Sequence, residues 1–134
     1  MKGHSVKIII ADDDPEDLEL IEQAILEEEP SAELHTFTSG FSAYEYLSTI
    51  KDDDLPCLII LDYNMPQLNG AEVLSTLNKQ IRYRTIPKII LSTSDSAMHK
   101  HASLISGATE YFTKPSNYSD YTSLAKKLTS FCLY

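Results

Sequence analysis

Five short apolar runs, at residues 6–11, 34–38, 57–61, 88–91 and 110–113, recur along the 134-residue chain, and each leads into a segment with helical periodicity. This fivefold βα repeat restricts the fold more than any other feature. Runs such as LIIL and KIIL lack apolar–polar alternation, as strands do when helices cover both faces of a parallel sheet. Right-handed crossovers then limit the topologies. The repeat predicts an α/β, three-layer (βα)5 sandwich with the flavodoxin-like strand order 2-1-3-4-5 and a site at the carboxyl edge of the strands.

The first helix is well signalled: Asp14 as N-cap, Pro15 at the first helical position, Glu16 and Asp17 in the first turn, then an apolar stripe of Leu18, Ile21 and Ile25. Further stripes are Phe41, Tyr44 and Leu47; Val73, Leu74 and Leu77; Met98, Ala102 and Ile105; and Tyr121, Leu124 and Leu128. All four are expected to be core faces, since each fills one side of a helix.

The length matches a single domain over residues 1–134, with no output domain, and 43% hydrophobic with 23% charged residues reads as globular. The net charge of −9 disfavours direct nucleic-acid binding, which normally uses clustered Lys and Arg. Cys57 and Cys132 lack metal-ligand spacing and scaffold density, so a reducing cytoplasm is expected. The amino-terminal apolar run is short and ends in carboxylates, unlike a signal peptide or a membrane span.

The strand exits carry the chemistry. The first opens into Asp12, Asp13 and Asp14, the third into Asp62, the fourth into Ser92, Thr93 and Ser94, and the fifth into Lys114 and Pro115. In this fold those exits can border one crevice. Carboxylates clustered there repel one another, and a hard divalent cation with oxygen ligands resolves the repulsion. Mg²⁺ suits a small cluster, because it keeps several waters and takes one or two carboxylates plus a phosphoryl oxygen. A carboxylate can itself attack phosphorus when a metal and an ammonium neutralise the transferring group, and a serine hydroxyl can then donate to a phosphoryl oxygen.

Taken together, IIIADDDP, LDYNMPQLNG, PKIILSTS and SGATEYFTKP, with 30 positions from Asp62 to Ser92 and 22 from Ser92 to Lys114, resemble the receiver domains of two-component signalling, including the chemotaxis regulator, over nearly the whole chain. The resemblance implies that Asp62 is the phosphoacceptor and that Asp12, Asp13, Asp62 and the Asn64 backbone carbonyl hold Mg²⁺. It assigns phosphoryl chemistry to Lys114 and Ser92, the switch to Ser92 and Tyr111, and tuning of the phosphoryl lifetime to Asn64 and Ser94. It also implies a cis bond between Lys114 and Pro115. The implied partners are a sensor histidine kinase or phosphotransfer protein, with a homodimer or downstream protein at the face of the fourth helix, fifth strand and fifth helix. Neither nucleic acid nor membrane is an expected partner. The STS and KPSN stretches resemble small stand-alone regulators paired with phytochrome-type kinases. Departures are Ser92 where Thr is commoner, Thr93 where a smaller residue is usual, and Ser116 where many relatives are apolar.

Singly, these residues have blander readings. Asp12–Asp14 alone would be a helix cap, Lys114 a surface lysine, Ser92 a satisfied strand end and Tyr111 one half-buried tyrosine among eight. Asp52, Asp53 and Asp54 precede a Leu-Pro step and read as a solvated loop. His99 and His101, two apart, fall on different helix faces and read as solvated. On the apolar and aromatic residues Tyr118, Tyr121, Phe131 and Tyr134, a partner surface and a core helix with a frayed tail are equal explanations. Two other classes compete. A phosphatase using Asp62 as transient nucleophile would want an acid two residues later, where Asn64 stands; a pseudo-receiver would lack one of the acids, the hydroxyl or the lysine. A signalling switch is therefore expected in place of a turnover enzyme.

Overall fold

A computed structural model describes residues 6–132. The elements are β1 (Lys7–Ala11), α1 (Pro15–Glu28), β2 (Glu33–Phe37), α2 (Gly40–Thr49), β3 (Leu58–Leu61), α3 (Gly70–Asn78), β4 (Lys88–Ser92), α4 (Ala97–Ile105), β5 (Glu110–Thr113) and α5 (Tyr118–Ser130). The five strands pair in parallel in the order β2-β1-β3-β4-β5, as the repeat predicts, and lie within one residue of the expected runs.

The absence of alternation in these strands has a direct cause, for both sheet faces are buried. Ile8, Ile10, Leu58, Ile60, Ile89 and Leu91 pack under α1 and α5 against Ile21, Ile25, Leu124 and Leu128. Their strand neighbours Ile9, Ala11, Ile59, Leu61 and Ile90 face Leu47, Val73, Leu74 and Leu77 of α2 and α3. Each fully buried aliphatic side chain stabilises the fold by about 1.5–3 kcal/mol. Helix entry is equally local. The Asp14 side chain accepts from the Glu16 amide at 3.0 Å, and Asn69 and Glu72 form a reciprocal capping box on α3.

Three expectations change here and one open choice is narrowed. First, α4 does not bury its apolar stripe: Met98 is 77% and Ile105 70% exposed, and Leu104 beside them is also exposed. Its buried residue is Ser103, whose hydroxyl donates to the His99 carbonyl at 2.8 Å. A serine satisfied within its own helix can face the protein, and its small size lets α4 sit close, leaving the larger residues outside. In α2, likewise, Ala43 and Leu47 are buried while Phe41 is 51% exposed.

Second, Cys57 and Cys132 form a disulfide that joins the start of β3 to the residues after α5, with 5.2 Å between Cα atoms across 75 positions. The bridge was not expected from the sequence, because spacing along the chain does not show which ends the fold brings together, and the cysteines therefore no longer support a reducing compartment. Third, no peptide bond among the described residues is cis, so Lys114–Pro115 is trans, the form an X–Pro bond favours by about 0.5–1 kcal/mol. Of the residues left open between a partner surface and a core helix, Tyr121 is a core residue, as its stripe implied; Tyr118 is exposed, Phe131 is half-buried, and Tyr134 lies outside the described residues. The acidic triplet Asp52–Asp54 is an exposed single turn, with Asp52 paired to Arg82 at 3.0 Å. Among the described residues no helix is long and apolar enough to cross a membrane.

Candidate functional site

The sheet fixes the backbone of the site. The Asp12 amide donates to the Phe37 carbonyl at 3.0 Å, the Asp62 amide to the Ala11 carbonyl at 2.9 Å, and the Lys114 amide to the Ser92 carbonyl at 2.7 Å. The ladder thus runs one residue past the strands. Side chains from three strand exits start from positions as rigid as the core itself.

Asp12, Asp13 and Asp62 each present a carboxylate oxygen within 4.8 Å of the others, with Asp12 and Asp62 buried and Asp13 exposed. The Lys114 ammonium lies 2.7 Å from Asp12 Oδ2 and 3.6 Å from Asp62 Oδ2, and the lysine is itself buried. Burial, reinforced by the neighbouring Asp12 charge, pushes the Asp62 carboxyl up to about 7. Burial also raises Asp12, although the Lys114 hydrogen bond works against it. Burial alone would lower Lys114, but the hydrogen bonds it donates to Asp12 and Asp17 carry it above the ordinary lysine range. One ammonium therefore stays charged beside carboxylates that cannot all ionise cheaply. That donor set, hard oxygens close together and short of positive charge, fits a divalent cation.

The fourth exit forms a ladder of hydroxyls. Ser92 is fully buried, and its Oγ accepts from the Ser94 amide at 3.2 Å. Ser94 Oγ accepts from the Ser96 amide at 3.1 Å, and Ser96 in turn caps α4 through the His99 amide. The Tyr111 hydroxyl donates to the Ser94 carbonyl, so the ring lies inward against this loop with the Lys100 ammonium 6.0 Å from its centroid. Ser92, Ser94 and Tyr111 are thus one connected unit. Asn64 is exposed in the loop after Asp62.

That loop turns sharply. Gln67 takes φ 71°, and the Gly70 amide donates to the Tyr63 carbonyl at 2.8 Å. A Cβ on Gly70 would lie 2.7 Å from both the Asp62 carbonyl oxygen and Ile90 Cδ1. Gly70→Ala is therefore expected to cost about 1–3 kcal/mol in urea denaturation and to displace Asp62, lowering metal affinity measured by tyrosine fluorescence. Unchanged stability and affinity would show that the loop relaxes freely.

Two features escaped the sequence reading. Asp17, taken as a first-turn cap acid, holds Lys114 at 2.9 Å; its position one helical turn past the site was the available signal. His99, taken as solvated, stacks on Tyr63 with ring centroids 4.1 Å apart and an interplanar angle of 15°, and no sequence pattern announces that contact.

Known proteins resemble this chain in sequence and fold. The family model described as "Response regulator receiver domain" matches residues 8–126. The two-component response regulator ARR8 of Arabidopsis thaliana is 30% identical over 87% of this chain, which spans 58% of that protein. Response regulator Rcp1 of Synechocystis is 27% identical over 94% of the chain and 88% of its own length. Among solved structures, the phosphorylated cyanobacterial phytochrome response regulator RcpA superposes with a TM-score of 0.87 at 30% identity, covering 96% of this chain and 94% of that one. The Mn²⁺-bound form of Rcp1 gives 0.82 at 27% identity, with the same coverages.

Proposed function

Because the chain belongs to the response regulator receiver domain family, we propose that Asp62 accepts its phosphoryl group and that the carboxylates around it hold Mg²⁺. Receiver domains are phosphorylation-activated signalling switches. They bind a divalent metal at an acidic pocket and interact with histidine kinases or phosphotransfer proteins. The single observation that carries the assignment is the convergence of Asp12, Asp13, Asp62 and Lys114 from three strand exits.

Asp12, Asp13, Asp62 and the Asn64 carbonyl would hold the metal, which when bound neutralises charge on the transferring group. An Asp62 oxygen forms the new O–P bond as the N–P bond of a donor phosphohistidine breaks, and the electron pair returns to the imidazole nitrogen. Lys114, buried and held charged, lies 3.6 Å from the accepting carboxylate and pairs with the product's negative charge. Ser92 Oγ, now accepting from the Ser94 amide, turns to donate to a phosphoryl oxygen. That move loosens the Ser94 loop and with it the Tyr111 hydrogen bond and the cap of α4. Asn64 and Ser94, at the mouth of the site, set how long the group survives.

The exposed Met98, Leu104 and Ile105 of α4 support a partner or homodimer surface on α4, β5 and α5. The likeness to RcpA and Rcp1 supports a phytochrome-type kinase as phosphoryl source. Membership of the receiver family supports cytoplasmic placement, and among the described residues no helix is long and apolar enough to cross a membrane. With Asn64 where a hydrolytic acid would stand, the chain works as a switch and not as a turnover enzyme.

Incubation with acetyl phosphate and Mg²⁺ tests the proposal by intact mass. The wild-type chain is expected to gain one phosphoryl group and Asp62→Asn none. An unmodified wild-type chain would overturn the assignment and favour a pocket that only binds.

A further inference from the structure

Given that Asp62 is phosphorylated, we infer that Asp17 is a positioning residue that holds the Lys114 ammonium in reserve, away from Asp62, until the phosphoryl group arrives. The inference rests on the phosphoacceptor reading above and concerns a residue outside the metal cluster. Lys114 Nζ lies 2.7 Å from Asp12 Oδ2 and 2.9 Å from Asp17 Oδ2, but 3.6 Å from Asp62 Oδ2. The ammonium is thus in close contact with two acids near the start of α1 and in looser contact with the nucleophile.

These two acids are not equivalent. Asp12 belongs to the trio of carboxylates that fits a divalent cation. A metal drawing on Asp12 competes with Lys114 for its charge. Asp17 stands apart from the trio, and its side chain is 23% exposed, so its pairing with Lys114 survives metal binding. The Asp17 backbone is secured by the first turn of α1, where its amide is one of two directed at the Asp14 cap. A side chain fixed at both backbone and carboxylate can hold a flexible lysine to one side. A dianionic phosphoryl group on Asp62 then pulls the ammonium back, and breaking the Asp17 contact becomes part of the cost of the active state. Asp17 thereby sets the balance between resting and activated pockets without touching the reacting atoms.

A double-mutant cycle tests this, with beryllofluoride plus Mg²⁺ as a phosphoryl mimic and tyrosine fluorescence as the readout in a chain with eight tyrosines and no tryptophan. Asp17→Asn is expected to tighten beryllofluoride binding by about five- to tenfold when Lys114 is present, and by less than about twofold in Lys114→Met. Equal tightening in both backgrounds would overturn the inference, because it would mean only that a negative charge had been removed near an anion. No tightening in the Lys114 background would overturn it as well. Should Lys114→Met bind too weakly or fold poorly, NMR of the Lys114 side chain supplies the answer. Its resonance should move in ligand-free Asp17→Asn toward the position it takes in beryllofluoride-bound wild type, and an unmoved resonance would overturn the inference. A wild-type chain that binds no beryllofluoride and gains no phosphoryl mass sinks the receiver assignment instead.

Discussion

Asp62→Asn is expected to make the metal-free protein more stable at pH 8, by about 2–4 kcal/mol in urea denaturation. The folded chain raises the Asp62 carboxyl to about 7, from an ordinary value of 3.8 in the unfolded chain. Between those values the folded state keeps a proton that the unfolded state releases. The stability carried by that proton is fully present below pH 4 and disappears as the pH rises through 7. At pH 8 the wild type therefore carries the full cost of a buried charge on Asp62, desolvation first and repulsion by Asp12 second, and the asparagine removes it. Mg²⁺ should stabilise the two proteins to different extents. At about 100 times its Kd it stabilises the wild type by about 2.7 kcal/mol, while Asp62→Asn responds weakly. If Asp62→Asn were less stable than the wild type at pH 8 without metal, the carboxylate would be structural, and the cost of burying its charge would not be the governing effect.

Reduction of the Cys57–Cys132 bridge is expected to lower the stability of the folded chain by about 4 kcal/mol, since the bond closes a loop 75 positions long and restricts the unfolded state accordingly. Urea midpoints with and without a dithiol reductant measure the loss, and Cys132→Ser should reproduce it. Phosphoryl uptake at Asp62 should persist in the reduced protein, because Cys57 precedes β3 and Asp62 follows it, at opposite ends of one strand. An unchanged midpoint would show that the bridge constrains nothing the fold does not already fix.

The parallel sheet was legible because its strands are buried on both faces and say so in their composition; Ile8 and Ile9 face opposite layers yet are the same residue type. The site was legible for a related reason. Asp12, Asp62 and Lys114 stand immediately after strands, so once strand order is known their meeting follows from topology. What stayed hidden depends on side-chain direction. The stripe of Met98, Ala102 and Ile105 has perfect helical spacing, and nothing in spacing tells an inner face from an outer one when a serine can satisfy itself. Asp17 read as one of two first-turn acids because such an acid serves the helix dipole wherever it points. The disulfide joins the beginning of one strand to the end of a distant helix, and only the assembled layers put them 5.2 Å apart.

The attachment of α4 has a consequence for how such a chain can diversify. Its inner side rests on one serine, a ring stacked on Tyr63 and a serine cap, while its large apolar residues contribute no core burial. Substitutions at Met98, Leu104 and Ile105 therefore leave the sandwich nearly untouched. If this outward face is the proposed partner surface, it can drift from one recognition chemistry to another with the inner contacts of α4 to the Ser92–Ser94 loop left intact. In the proposed switch, changing the partner is thus separable, residue by residue, from changing the trigger.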